Sequence, residues 1–354
     1  MAKIKIAQIV WPSTTLPPKT YGSIQLIASR IIEGLDKNIF DVSVFASADS
    51  TIDANMIPIC KIPVNEDPTI EDRRLYMSIL LSEIFQREND FDIIHSHIDH
   101  TTLALAQVIK KPIVMTMHRA YDDHAKEAFV KYGQKINSIA ISKSQKETMP
   151  NVNITGVVYN GIDVSKHEYV SSGGNYMACV GRTTPYKGID EAIQIAIEMK
   201  IPLKIAAHRD YAPASDKYYK EKIEPFLDNE YIDYLGEVSE EEVQEMLKNA
   251  KLFINPISWV EPFGLVVAEA NASGVPVVTY DCGAMREIIE EGKTGFIVKD
   301  RNEMKEKIKA IFFLTKEEEA VMRPYCHKHI ADNFSIEKMV AGYTKIYQDI
   351  LNNK

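Results

Sequence analysis

Cysteine is scarce in this chain: four in 354 residues, at Cys60, Cys179, Cys282 and Cys326, with no CxxC pair among them. In a chain long enough to bury its own core, such scattered thiols read as reduced groups of a cytosolic protein. Long apolar runs are missing as well. No stretch approaches the length of about 18 residues that a membrane-spanning helix needs. The opening Met1-Ala2-Lys3-Ile4-Lys5-Ile6 reaches Pro12 too soon for the apolar region of a secretory leader. Basic charge is in deficit: 41 Lys and Arg against 50 Asp and Glu leave a net charge of −9. That balance argues against a dedicated nucleic-acid binder. Glycine and proline, 16 each, are too few for a collagen-like or low-complexity chain. What is present is 45% apolar and 26% charged residues, the composition of a globular chain. At roughly 150 residues per domain, the length implies two domains. The expectation is a cytoplasmic protein.

Short apolar runs alternate with longer stretches of helical periodicity, the pattern of parallel sheets covered by helices. Strands are predicted at 5–10, 42–46, 93–95, 113–116, 138–141 and 154–158, and a second series at 177–180, 203–206, 232–235, 252–255, 275–279 and 296–298. Between the two series lies a polar stretch, 169–174, ending in Gly173-Gly174, with the composition of a linker. The predicted domains are therefore 1–168 and 169–334. A helix over about 336–351 places Ile336, Met339, Val340, Tyr343, Ile346, Tyr347 and Ile350 on one stripe, so it needs a surface to dock on. Open parallel sheets bind ligands beyond the carboxyl ends of their strands. With two such sheets, the expected site is a cleft that both domains face.

The loop after the strand ending at Val180 reads Gly181-Arg182-Thr183-Thr184-Pro185-Tyr186-Lys187-Gly188 and opens a helix. Two cations beside a helix N-terminus repel its dipole, at a few tenths to about 1 kcal/mol each. An anion between them reverses that sign, because amides and side chains then bind it together. Two solvated surface cations would look the same in the sequence. Glu261 lies in the loop Asn255-Pro256-Ile257-Ser258-Trp259-Val260-Glu261-Pro262-Phe263-Gly264, and Glu269 lies inside the helix that follows. A carboxylate in so apolar a segment needs hydrogen-bond donors, and neighbouring sugar hydroxyls are well suited to supply them. A wet stripe for Glu269 and a dipole role for Glu261 would explain the same spacing.

Glu261-x7-Glu269, within Trp-Val-Glu-Pro-Phe-Gly-Leu-Val-Val-x-Glu-Ala and followed by Ala272-Ser273-Gly274-Val275-Pro276, resembles the signature of glycosyltransferase family 4. Gly181-Arg182 with Lys187-Gly188, Gly283, Gly292-Lys293-Thr294-Gly295, His95-Ser96-His97, Thr116-Met117-His118 and Asn160-Gly161-Ile162-Asp163 match the same family. The resemblance implies a GT-B fold: two Rossmann-like domains, the acceptor bound largely by the first and a nucleotide sugar by the second. The helix at 335–354 would cross back onto the first domain. The implied reaction moves a sugar from a nucleoside diphosphate, UDP more readily than GDP, to a hydroxyl with retention at the anomeric carbon. Arg182 and Lys187 would neutralise the diphosphate, Glu269 would bind the ribose hydroxyls and Glu261 the donor sugar. The amides of Phe263, Gly264, Leu265 and Val266 would bind sugar hydroxyls and phosphate. His118 would hydrogen-bond the donor sugar. Fixed cations would make a metal cofactor unnecessary.

In the first half, Gly22 opens a helix where a backbone can approach a phosphate or an acceptor. The family often has a second glycine and an acid here; this chain has Ser23 and Gln25. His95 and His97 alternate on one side of a strand, with His100 close behind, as zinc ligands could, but no cysteine accompanies them. Asp90-Phe91-Asp92 imitates a metal-binding DxD, yet it precedes an apolar strand instead of following one. No metal is expected. Lys126, Lys131, Lys135, Lys143 and Lys146 form a local basic run. Such a run ordinarily marks a solvated face, and is also what peripheral contact with a membrane's inner face would require. The acceptor stays open among glycans, lipid-linked intermediates and small molecules. Two competing functions share the fold: a nucleotide-sugar epimerase, and a catalytically silent sugar-nucleotide-binding subunit. The joint presence of His118, Arg182, Lys187, Glu261 and Glu269 disfavours the silent one.

Overall fold

The computed structural model describes residues 2–19 and 22–352. The chain forms two compact units: Met1–Gly161 with Ile336–Lys354, and Ile162–Ser335. The chain thus passes between units at Gly161 and Ile162, ahead of the 168/169 boundary read from the polar stretch. That stretch, 169–174, is tied into the second unit. Arg323 donates to the Val170 carbonyl at 2.7 Å, to Ala250 at 2.9 Å and to Lys248 at 2.6 Å. The Gly173 amide donates to Glu319 at 2.8 Å, and Glu319 also pairs with Lys251. Composition marks a segment as loop, but not which body its backbone is hydrogen-bonded to.

The first unit contains seven parallel strands: β1 (Ile4–Ile9), β2 (Phe40–Ser47), β3 (Asn55–Cys60), β4 (Ile93–Ser96), β5 (Ile113–Met117), β6 (Ile136–Ala140) and β7 (Ile154–Val157). Their order in the sheet is β3-β2-β1-β4-β5-β6-β7. The second unit contains β8 (Met177–Arg182), β9 (Leu203–His208), β10 (Ile232–Gly236), β11 (Leu252–Asn255), β12 (Val277–Tyr280) and β13 (Gly295–Val298), in the order β10-β9-β8-β11-β12-β13. Each sheet runs outward from its first strand in both directions, the arrangement of doubly wound dinucleotide folds. Strands such as Ile93-Ile94 and Val277-Val278 are fully buried, as expected where helices cover both faces of a sheet.

Strand β3 is absent from the sequence prediction because Pro58 interrupts it. The sheet order puts it at the edge, where a missing N–H costs no ladder bond. Helix Ile336–Asn352 belongs to the first unit and packs on helix Ser23–Gly34. Its Tyr343 and Tyr347 are fully buried. No described helix is long and apolar enough to cross a membrane.

Removing the Glu319 charge leaves Lys251 buried without its counter-ion, a change that typically costs about 3–5 kcal/mol. Trp259 lies in the second unit and Trp11 in the first, and the chain has no other tryptophan. Glu319→Gln in a Trp11→Phe background should lower the denaturant midpoint followed by Trp259 fluorescence. The same change in a Trp259→Phe background should leave the Trp11 transition in place.

Candidate active site

In the second unit, β8 delivers Gly181 and Arg182 at its carboxyl end. A single turn, Pro185–Lys187, then leads through Gly188 into helix Ile189–Met199. Gly188 has φ 68°, and a Cβ there would lie 2.1 Å from the Pro256 carbonyl oxygen. Only glycine allows this left-handed turn to lie against the loop that follows β11. The two loops are bonded further where the Ser258 amide donates to the Tyr186 carbonyl at 3.0 Å. Lys187 Nζ consequently meets Glu261 Oε2 at 2.6 Å. Trp259 Nε1 donates to the same oxygen at 3.0 Å, and its ring lies under Lys187, 5.3 Å from Nζ. Arg182 donates to the Tyr186 hydroxyl at 2.5 Å and lies 3.5 Å from Asp210, beyond the end of β9.

Glu261 is held from its other side by the loop after β12. The Ala284 amide donates to the Glu261 carbonyl at 3.0 Å. Gly283, with φ 61°, approaches so closely that a Cβ would lie 2.2 Å from the same carbonyl oxygen. Beyond it, helix Leu265–Ala272 starts at Gly264 without a side-chain cap. Its first amides have no intrahelical acceptor and make an anion-favouring helix end. Along this helix only Leu265, Val266 and Glu269 keep partial exposure. Spacings of three and four residues put them on one face.

The structure therefore gathers Arg182, Lys187 and Glu261 into one cluster next to Phe263 and Gly264, which lead into the helix that carries Leu265, Val266 and Glu269. It adds Tyr186, Trp259 and Asp210, to which sequence reasoning gave no role. Asp210 could have been sought by the strand-end rule, because β9 is the neighbour of β8.

In the first unit, His118 follows β5 and is partly exposed. Its Nε2 lies 2.9 Å from Nδ1 of the buried His97, whose Nε2 lies 3.0 Å from Gln8 Oε1. His95, also buried, contacts the Tyr347 hydroxyl through Nδ1 at 2.6 Å and Thr116 Oγ1 through Nε2 at 2.8 Å. Thr116 in turn meets the Tyr343 hydroxyl at 2.7 Å. Every ring nitrogen of His95 and His97 is therefore engaged by protein. No group of three or more His, Cys, Asp or Glu side chains able to hold a metal ion occurs among the described residues. Burial lowers the His118 pKa to about 4; Asp99 opposes that shift and Arg119 reinforces it. Burial lowers His95 to about 3 and His97 well below the usual imidazole value. All three are neutral near pH 7.

Gly22 caps helix Ser23–Gly34 without a side-chain bond, and a Cβ on it would lie 2.9 Å from Pro18 Cβ. Its neighbours Thr20 and Tyr21 fall outside the described residues. Gln25, standing near the family's acid position, turns back to donate to the Trp11 carbonyl at 3.0 Å and to Ser13 at 2.8 Å. In the basic run, Lys126 pairs with Asp123 at 3.0 Å, and Asp122 caps their helix, Asp123–Tyr132.

These three histidines set an acid sensitivity. Below about pH 6.5 the unfolded chain protonates all three, whereas the folded unit holds them neutral until about 4 for His118 and about 3 for His95. The unfolded state then binds more protons, so stability falls as pH falls through this window. In a Trp259→Phe chain, the denaturant midpoint reported by Trp11 should drop steadily over that range. His95→Gln should make the slope shallower whatever it does to the midpoint at pH 7; an unchanged slope would contradict a neutral buried His95.

Comparison with known proteins accords with this architecture. The family described as glycosyl transferases group 1 matches residues 164–326, and glycosyltransferase family 4 matches residues 26–166. An uncharacterised glycosyltransferase of Methanocaldococcus jannaschii is 24% identical, covering 98% of this chain and 99% of its own length. Among solved structures, sucrose-phosphate synthase from Thermosynechococcus elongatus superposes with a TM-score of 0.82 at 15% identity, covering 99% of this chain and 100% of that one. Anabaena HepE in complex with UDP and glucose gives 0.77 at 16% identity, covering 98% and 99%. The chain belongs to the GT-B glycosyltransferases of group 1 and family 4.

Proposed function

We propose that this enzyme moves a sugar from a nucleoside-diphosphate sugar, a UDP-sugar in preference to a GDP-sugar, to a hydroxyl acceptor with retention of anomeric configuration, in glycan or glycolipid biosynthesis. The second unit is the donor-binding half and the first the acceptor-binding half. The observation that carries the reading is the Lys187–Glu261 pair beside Arg182, at the start of an uncapped helix. A diphosphate entering there takes Arg182 and Lys187 as its partners in place of Asp210 and Glu261. Glu261 is then released to accept from a sugar hydroxyl, and Glu269 on the open face of its helix accepts from the ribose. As the leaving group departs, negative charge builds on its phosphate, and the two cations with the amides of Leu265 and Val266 stabilise it. These fixed charges do the work a divalent metal would otherwise do. His118 contributes a neutral hydrogen-bonding imidazole to the sugar. The UDP preference draws its support from Anabaena HepE, whose structure contains UDP and glucose.

The test is release of nucleoside diphosphate from a panel of UDP- and GDP-sugars, with and without mixed acceptors and with EDTA throughout. Turnover with a UDP-sugar and an α-linked product from an α-linked donor is expected. Inversion at the anomeric carbon overturns retention, and tight binding without turnover across the panel identifies a silent binding subunit. Lys187→Ala or Arg182→Ala should lower kcat by about 10²–10³-fold. Glu269→Ala should weaken nucleotide binding, and unchanged affinity would remove its assigned contact.

A further inference from the structure

The polar line behind His118 dictates where the protons of that imidazole lie. The Tyr347 hydroxyl approaches His95 Nδ1 to 2.6 Å. The Tyr347 oxygen accepts from Gln8 Nε2 at 3.2 Å, so the one proton of that hydroxyl is left for its other neighbour and Tyr347 gives it to His95. With its NH₂ end committed to Tyr347, Gln8 presents its carbonyl to His97 Nε2 at 3.0 Å. That nitrogen therefore carries the His97 proton, and His97 Nδ1 is bare. A bare Nδ1 at 2.9 Å from His118 Nε2 requires the proton on the latter. A neutral imidazole holding its proton on Nε2 has only a lone pair on Nδ1. Nδ1 of His118 makes no hydrogen bond among the described residues.

We infer that Gln8, His97 and Tyr347 are positioning residues that hold His118 in the Nε2–H tautomer, so that its Nδ1 accepts a hydrogen bond from a substrate hydroxyl. The acceptor role rests on the proposed contact between His118 and the sugar; the tautomer does not. The consequence is a chemical filter: His118 selects a ligand group that donates a proton and rejects one that only accepts. The Gln8 amide is the pivot, since turning it end for end would reverse each proton from Tyr347 to His118. Tyr347 is fully buried on helix Ile336–Asn352, so the pivot is set by a helix 339 positions from Gln8 in the chain.

The tautomer is read directly from long-range ¹H–¹⁵N spectra of the histidine rings in the full chain, with His118 assigned by comparison with His118→Ala. The ligand-free protein should show a pyrrole-type Nε2 and a pyridine-type Nδ1 for His118. A pyrrole-type Nδ1 overturns the assignment. Tyr347→Phe removes the hydroxyl that orients Gln8 and should mix the two tautomers, averaging the His118 nitrogens. If that variant is folded by its amide spectrum and those nitrogens are unmoved, Tyr347 is not part of the control. Adding UDP-glucose until its binding saturates should move the Nδ1 resonance toward the hydrogen-bonded position and leave Nε2 in place; an unmoved Nδ1 with the nucleotide sugar bound overturns the acceptor role. If no nucleotide sugar binds at all, the transfer reading fails, and the spectra of the free protein still decide the tautomer.

Discussion

Backbone contact between Gly188 and Pro256 sets the spacing on which the second unit's chemistry depends. Gly188 puts no side chain between the loops at that point, and the cation of one meets the carboxylate of the other directly. Ion pairs that keep contact with water contribute about 0–1 kcal/mol, too little to hold two loops in register. The loops are held by main-chain bonds, from Ser258 to Tyr186 on one side and from Ala284 to Glu261 on the other. Lys187 and Glu261 are therefore charges placed by a rigid frame. An anion can take over the lysine at small cost, because the frame does not rely on the pair it displaces.

The first unit solves the opposite problem. Its polar groups lie inside a sheet covered on both faces, where an unpaired hydroxyl or imidazole costs heavily. Gln8, His95, His97, Thr116, Tyr343 and Tyr347 meet that constraint by bonding to one another. Such a line stays intact only while each member is neutral and satisfied, and burial keeps the imidazoles uncharged. One unit thus uses fixed charge near its surface and the other uses fixed proton positions inside. Both devices sit at the carboxyl ends of parallel strands, since a parallel sheet brings all its strand ends to one edge.

Much of this was legible beforehand, because parallel strands announce themselves as short apolar runs and because the second unit's site is local in sequence. Arg182 and Lys187 share one loop, and Glu261 and Glu269 one loop and its helix. The exceptions have physical causes. Strand β3 escaped because Pro58 is tolerated only at an edge, and no single strand reveals that it is an edge. The 169–174 segment looked like a joint because its anchors, Arg323 and Glu319, lie far downstream. Asp210 was hidden because its partner is on a neighbouring strand. The hydrogen-bonded line behind His118 was the least accessible: the tyrosines on the stripe of helix Ile336–Asn352 read as apolar packing, and nothing in their spacing shows that their hydroxyls reach a histidine and a threonine on other strands.

Helix Ile336–Asn352 has a further implication for biosynthesis. The ribosome delivers the whole of the second unit before it delivers this helix, although the helix completes the unit whose strands emerged first. Domains commonly fold as units while translation proceeds. The nascent amino-terminal half therefore waits, with Gln8, His95 and Thr116 lacking their tyrosine partners, while the downstream half is still being made. Its imidazoles gain their tyrosine partners only after helix Ile336–Asn352 has been made, so a chain truncated after Ser335 would have its charged loops in place and its histidine line incomplete.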